Sequence, residues 1–122
     1  MSGQANVTTV DDRGKPVLGS CEPVTVLGQR DTARVEARVD TGAPRTHIDV
    51  GLACAVGAGP LVGEGTFRGS NGSAERLIVE LEIEVRGTTH VVEASIADRS
   101  HLTTDVRLGR DILERDIVDV SR

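Results

Sequence analysis

The fold turns on one stretch, Thr32-Ala33-Arg34-Val35-Glu36-Ala37-Arg38-Val39-Asp40-Thr41-Gly42-Ala43. Ala33, Val35, Ala37 and Val39 fall on one face, and Arg34, Glu36 and Arg38 on the other. A period of two with a single apolar side is the pattern of a half-buried strand. This strand runs directly into Asp40-Thr41-Gly42-Ala43, where an acid is followed by a hydroxyl and then a residue without a side chain. Glycine lets the backbone turn tightly there, so the carboxylate is presented from a fixed loop. A plain strand-to-turn aspartate has the same local pattern, and the triplet alone leaves both readings open.

The flanks extend the β pattern. Residues 24–27 predict a short strand, 28–31 a turn, and 46–50 another possible short strand. Residues 51–65 are rich in glycine and alanine, and 52–56 fit either a strand or a helical turn. Gly63, Gly65, Gly69 and Gly72 bracket residues 66–68, which predicts a mobile hairpin or loop instead of a packed element. The clearest segment is 76–96. Leu77, Val79, Leu81, Ile83 and Val85 point one way, and Glu80, Glu82 and Glu84 point to a solvated face. A turn at 86–89 returns the chain as a strand over 90–96, giving a long hairpin with one wet face. After a polar loop at 97–105, residues 106–109 lead into a short helix at 110–115, and 116–120 alternate as a terminal strand. Residues 1–15 are polar and read as a flexible N-terminal arm, with 16–122 as one domain. The expected fold is all-β, a small closed barrel with one short C-terminal helix.

Composition narrows the function classes. A chain of 122 residues has room for one domain and can bury a core without staples. Phe67 is the one aromatic residue, which removes the stacking platforms that single-stranded nucleic acids and sugars use. A net charge of −5 opposes binding to a phosphate backbone. No apolar run is long enough to span a bilayer, and no basic segment followed by an apolar one marks a signal peptide. Cys21 and Cys54 are too few and too far apart for a disulfide scaffold, so both are expected as thiols in a reducing cytoplasm. His47, His90 and His101 are scattered with them and have no metal-ligand spacing, and there is no phosphate-cradling glycine motif. Neither a metal nor a cofactor is expected.

Far downstream of Asp40 lies Leu108-Gly109-Arg110-Asp111-Ile112-Leu113, an apolar–glycine segment opening the helix. With the Asp-Thr-Gly-Ala loop and the glycine-dense hairpin between them, it resembles the retropepsin-like aspartic peptidases, the family of the retroviral proteases. The resemblance spans roughly residues 24–120 and implies a closed acid-protease barrel. A narrower likeness rests on residues 38–43, Arg68-Gly69-Ser70-Asn71-Gly72, Asp98-Arg99-Ser100-His101 and residues 117–122. These look like a prokaryotic family labelled ATP-dependent zinc proteases, associated with RimK-type ATP-grasp glutamate ligases. The chain departs from the pattern at Pro44, which removes a backbone donor just after the loop, and at Gly69, where serine is more usual.

The resemblance implies a mechanism. An aspartic peptidase uses two neighbouring carboxylates sharing one proton. This chain carries one Asp-Thr-Gly, so the second must come from another subunit, and the expected assembly is a symmetric homodimer. Asp40, Thr41 and Gly42 would form the catalytic loop, with Thr41 joining the two loops through its hydroxyl. Ala43, Arg45, Arg68 and Asn71 would contact a peptide substrate, and Arg45 and Arg68 could favour an acidic one. Arg110 and Asp111 would support the fold through a salt bridge. The alternatives are an inactive peptide-binding or regulatory module of the same fold, linked to a glutamate ligase, and a plain barrel in which Asp40 caps a turn.

Overall fold

The computed structural model describes residues 17–18, 20–69, 72–114 and 118–119; the arm expected over 1–15 lies outside them. In chain order the elements are β1 (Val17–Leu18), β2 (Cys21–Leu27), β3 (Thr32–Val39), β4 (His47–Asp49), α1 (Val50–Val56), β5 (Leu61–Gly69), β6 (Gly72–Val85), β7 (Thr88–Ala97), β8 (Val106–Leu108), α2 (Arg110–Leu113) and β9 (Val118–Asp119). One sheet runs β2-β3-β8-β4-β7-β6-β5, and a further pairing of β2 with β6 closes six of its strands into a barrel. β1 and β9 pair in parallel as a separate ribbon. Closure removes the open edges that a small sheet would otherwise expose.

The alternation predicted for β3 and β6 is what fills the barrel. Ala37 is fully buried and Ala33, Val35 and Val39 pack partly against the core, while Arg34, Glu36 and Arg38 face water. Leu81, Ile83 and Val85 are buried with Val24 and Val26 of β2, Val92 and Ala94 of β7, and Val106 and Leu108 of β8. The pattern fails at Leu77, which is 44% exposed while Ile78 is buried. The reason is topological: before Ile78, β6 has left β7 behind and pairs with β5 alone. The β5–β6 hairpin therefore extends beyond the barrel as a two-stranded arm. The glycine-dense stretch, expected as loose, is a regular ladder from Gly63 opposite Ile78 to Gly69 opposite Gly72, with a register irregularity between Leu61 and Gly63.

The expectation of one helix is corrected to two, because residues 50–56 form α1. Asp49 caps it, its Oδ2 accepting from Gly51 N at 2.9 Å and Leu52 N at 3.4 Å. At the other end Gly57 takes a left-handed conformation and its N–H returns to the last carbonyls. The Arg30 guanidinium also donates to the carbonyl of Cys54. Ala53 and Val56 plug one side of the core. Cys21 and Cys54 are both exposed thiols. No described helix is long and apolar enough to cross a membrane.

Asp49 has a second task. Its Oδ1 accepts from the backbone N–H of Arg99 at 2.7 Å, which ties the 98–105 loop to the start of α1. Asp49→Ala would strand three backbone donors, and a lost cap alone costs about 1 kcal/mol. The variant is expected to be less stable by about 2 kcal/mol in urea-unfolding midpoints, and Asp49→Asn by less. An unchanged midpoint for Asp49→Ala would show that water replaces all three bonds without loss.

Candidate active site

The end of β3 delivers Asp40. Val39 lies opposite Leu108 of β8, and the N–H of Asp40 donates to the Leu108 carbonyl at 3.0 Å. The chain then turns back on its own acid. Asp40 Oδ1 accepts from Gly42 N at 2.9 Å, and Ala43 N donates to the Asp40 carbonyl at 3.2 Å. The carboxylate is thus fixed by the loop it begins.

The segment that opens α2 holds this loop from below. Arg110 N donates to the Ala43 carbonyl at 2.7 Å, and Arg110 Nη1 to the Thr41 carbonyl at 3.2 Å. The fully buried Thr46 gives its N–H to Asp111 Oδ2 at 2.9 Å and its hydroxyl proton to Asp111 Oδ1 at 2.8 Å. The same hydroxyl accepts from Gly109 N at 3.2 Å. Gly109 has to be glycine for this approach, since a Cβ there would lie 2.6 Å from the carbonyl carbon of Arg45 and 2.8 Å from the oxygen of Ala43. The support expected from a salt bridge is corrected accordingly. Asp111 acts through Thr46, and the ion-pair contact of Arg110 is with Glu114 at 3.5 Å.

Asp40, whose side chain is 33% exposed, opens onto a cavity of about 1460 Å³. Gly42, Ala43 and Arg45 line the same cavity, whereas Thr41 is exposed and does not. Arg45 is anchored on β7, Nη1 donating to the Glu93 carbonyl at 2.9 Å and lying 3.9 Å from Glu93 Oε1. Asn71 and the side chain of Arg68 lie outside the described residues. Their neighbours Thr66, Gly72 and Ser73 do line the cavity, so the β5–β6 arm forms one of its walls.

Sequence reasoning missed a set of cations on the cavity wall. Arg107 sits on β8 between Val106 and Leu108, both fully buried, so it takes the opposite face and reaches Asp40, with Nη1 3.7 Å from Oδ2. Strict alternation at 106–108 was the available signal. His47, read as an ordinary strand histidine, is opposite Arg107 in the β4–β8 pairing and is buried. Burial, reinforced by the guanidinium groups of Arg107, Arg76, Arg99 and Arg45, pushes its pKa down to about 4. Arg99 is itself buried and lowered from its usual range mainly by desolvation. Its Nε donates to the Thr104 carbonyl at 2.9 Å and its Nη2 to the Thr104 hydroxyl at 3.1 Å. Among the described residues, no three His, Cys, Asp or Glu side chains gather as a metal site.

A closed six-stranded barrel with an Asp-bearing loop held against a short helix is the retropepsin-like arrangement. The family model described as aspartyl protease matches residues 22–112, and the chain belongs to that family. No curated protein matches the sequence significantly. Among solved structures, the chain is similar to the EIAV protease in complex with an inhibitor, at 20% identity and a TM-score of 0.63 over 87% of this chain and 91% of that one. It is also similar to the Simian Foamy Virus (mac) protease, at 13% identity and a TM-score of 0.57 over 77% and 91%. A Legionella pneumophila protein of unknown function matches at 15% identity and a TM-score of 0.58 over 84% and 91%. These likenesses concern the fold.

The neutral His47 makes stability depend on pH. Its pKa is about 4 when folded and near the ordinary 6.5 when unfolded, so the unfolded chain binds more protons between those values. Stability is therefore expected to fall as pH drops from about 6.5 to about 4, read as a declining melting temperature. His47→Gln should flatten that part of the curve; an identical decline in the variant would assign it to other groups.

Proposed function

We propose that the protein is an aspartic peptidase working as a symmetric homodimer, each chain contributing Asp40. The observation that carries this reading is an acid at the end of β3, fixed by its own loop and opening onto a cavity walled on one side by a hairpin arm. Two Asp40 carboxylates facing each other across a two-fold axis would hold one proton between them. The ionised one takes a proton from the attacking water, and the protonated one donates to the carbonyl oxygen of the scissile bond. In this reading the Thr41 hydroxyl, exposed on the single chain, joins the two loops, and the Gly42 backbone meets the substrate chain. Ala43, Arg45, Arg68 and Asn71 contact an extended peptide laid beneath the β5–β6 arm. The cytoplasm is the compartment that two exposed thiols suit. The narrower kinship with the ATP-dependent zinc protease label, and with it a link to glutamate ligases, belongs to the proposal and rests on the sequence likeness alone.

One observation favours a second reading, a peptide-binding module without turnover: in the single chain Arg107 already lies 3.7 Å from Asp40 as a counter-ion. The two readings separate on Asp40→Asn. General acid–base catalysis contributes about 10²–10⁴-fold, so the peptidase reading expects turnover of an acceptable peptide to drop by at least about 10²-fold, with the melting temperature preserved. Equal turnover by the wild type and the variant would falsify it. Peptide binding by both without any cleavage would establish the module instead.

A further inference from the structure

We infer that the cleft selects peptides with a carboxylate side chain beside the bond presented to Asp40, and that Arg107 is the residue that reads it. The inference deepens the proposed peptide site and rests on that assignment of the cavity. Arg107 is the described cation that lies against Asp40, so any substrate held there must meet its guanidinium. Its contact with Asp40 is long at 3.7 Å, and its Nε is shut away from solvent with no acceptor among the described residues. An apolar side chain packed against the guanidinium would leave its donors unpaired, and a neutral amide would bring one acceptor oxygen and no charge. A carboxylate brings two acceptor oxygens and the opposite charge, which the guanidinium fork takes together.

The rest of the wall points the same way. Arg76, half-buried on β6, lines the same cavity, and no described carboxylate pairs with it. The other two arginines are occupied, Arg45 by Glu93 and Arg99 by Thr104. Of the lining acids besides Asp40, Asp111 is held by Thr46, Asp98 by Ser100 and Glu93 lies by Arg45, which leaves Glu80, exposed on β6. Arg76, and Arg107 beyond its long contact with Asp40, are thus the cations open to an incoming anion. His47, opposite Arg107 and held neutral above about pH 4 first by burial and then by these arginines, adds no positive charge there at neutral pH.

The test uses the full chain both as wild type, where Arg107 keeps its contact with Asp40 and each peptide is read as a competitor, and carrying Asp40→Asn, so that peptides bind without being cut. Two alanine-rich octapeptides serve as probes, one with glutamate at its two central positions and one with glutamine, which matches it in shape. At pH 7 the glutamate peptide is expected to bind at least about ten-fold more tightly, a difference of about 1.4 kcal/mol. Adding Arg107→Leu should reduce the ratio to within about two-fold, and Arg107→Lys should keep part of it. Melting curves report whether each variant is folded; if Arg107→Leu is not, Arg107→Gln takes its place. A ratio near one in the Asp40→Asn protein overturns the inference. A preference that survives loss of Arg107 overturns the assignment to that residue. If the wild type cuts neither peptide while the preference holds, the peptidase reading falls and the acidic selectivity stands.

Discussion

The attachment of residues 40–46 to the start of α2 is the constraint on which the rest of the structure depends. Asp111 receives both polar hydrogens of Thr46, Gly109 donates to the same threonine, and Arg110 closes on the carbonyls of Ala43 and Thr41. These bonds join segments more than sixty residues apart and are shielded from water at Thr46 and Gly109. A buried bond of this kind specifies geometry more than it adds net stability, because the alternative is an unpaired polar group in the core. The gap that Gly109 leaves is what lets the two backbones touch. Without it the loop could not sit under β8, and Asp40 could not be held at a set height above the barrel end.

The barrel supplies rigidity and the arm supplies the opening. Six strands close on a core of branched aliphatic side chains, and Asp40, His47 and Arg107 lie on or next to β3, β4 and β8, which pair with one another. Asp40 follows directly on β3 and is tied by its N–H to β8, so the loop it opens starts from the barrel wall. The β5–β6 hairpin joins the barrel through β6, and before Ile78 β6 pairs with β5 alone.

Much of this was legible in the sequence, for identifiable reasons. The period-two runs at 32–39 and 81–85 named the core residues, since alternation in a strand has one interpretation once a face must be buried. Asp40-Thr41-Gly42-Ala43 alone left the site open, and it was its resemblance, together with Leu108-Gly109-Arg110, to the retropepsin-like peptidases that pointed there; the tight turn at Gly42 and the close backbone contact at Gly109 fit that likeness. α1 was left open between a strand and a helical turn because its seven residues are nearly all apolar and show no period, and its caps, Asp49 and Gly57, look like any turn. The order of the arm was missed because its glycines suggest looseness while the ladder hydrogen bonds that straighten it come from β6. Of the arginine wall only Arg45 was expected at the cleft. Arg76, Arg99 and Arg107 lie on separate segments, and only the topology gathers them with Arg45 around His47.

The account stands on one acid per chain completed by its twin. The measurement that bears on it most directly is an experimental structure of the assembled protein, read for the separation of the two Asp40 carboxylates. The account predicts two chains related by a two-fold axis, with the carboxylates within about 3 Å of one another, close enough to share a proton. A protein that stays monomeric, or a dimer whose Asp40 side chains face away from each other, would contradict it.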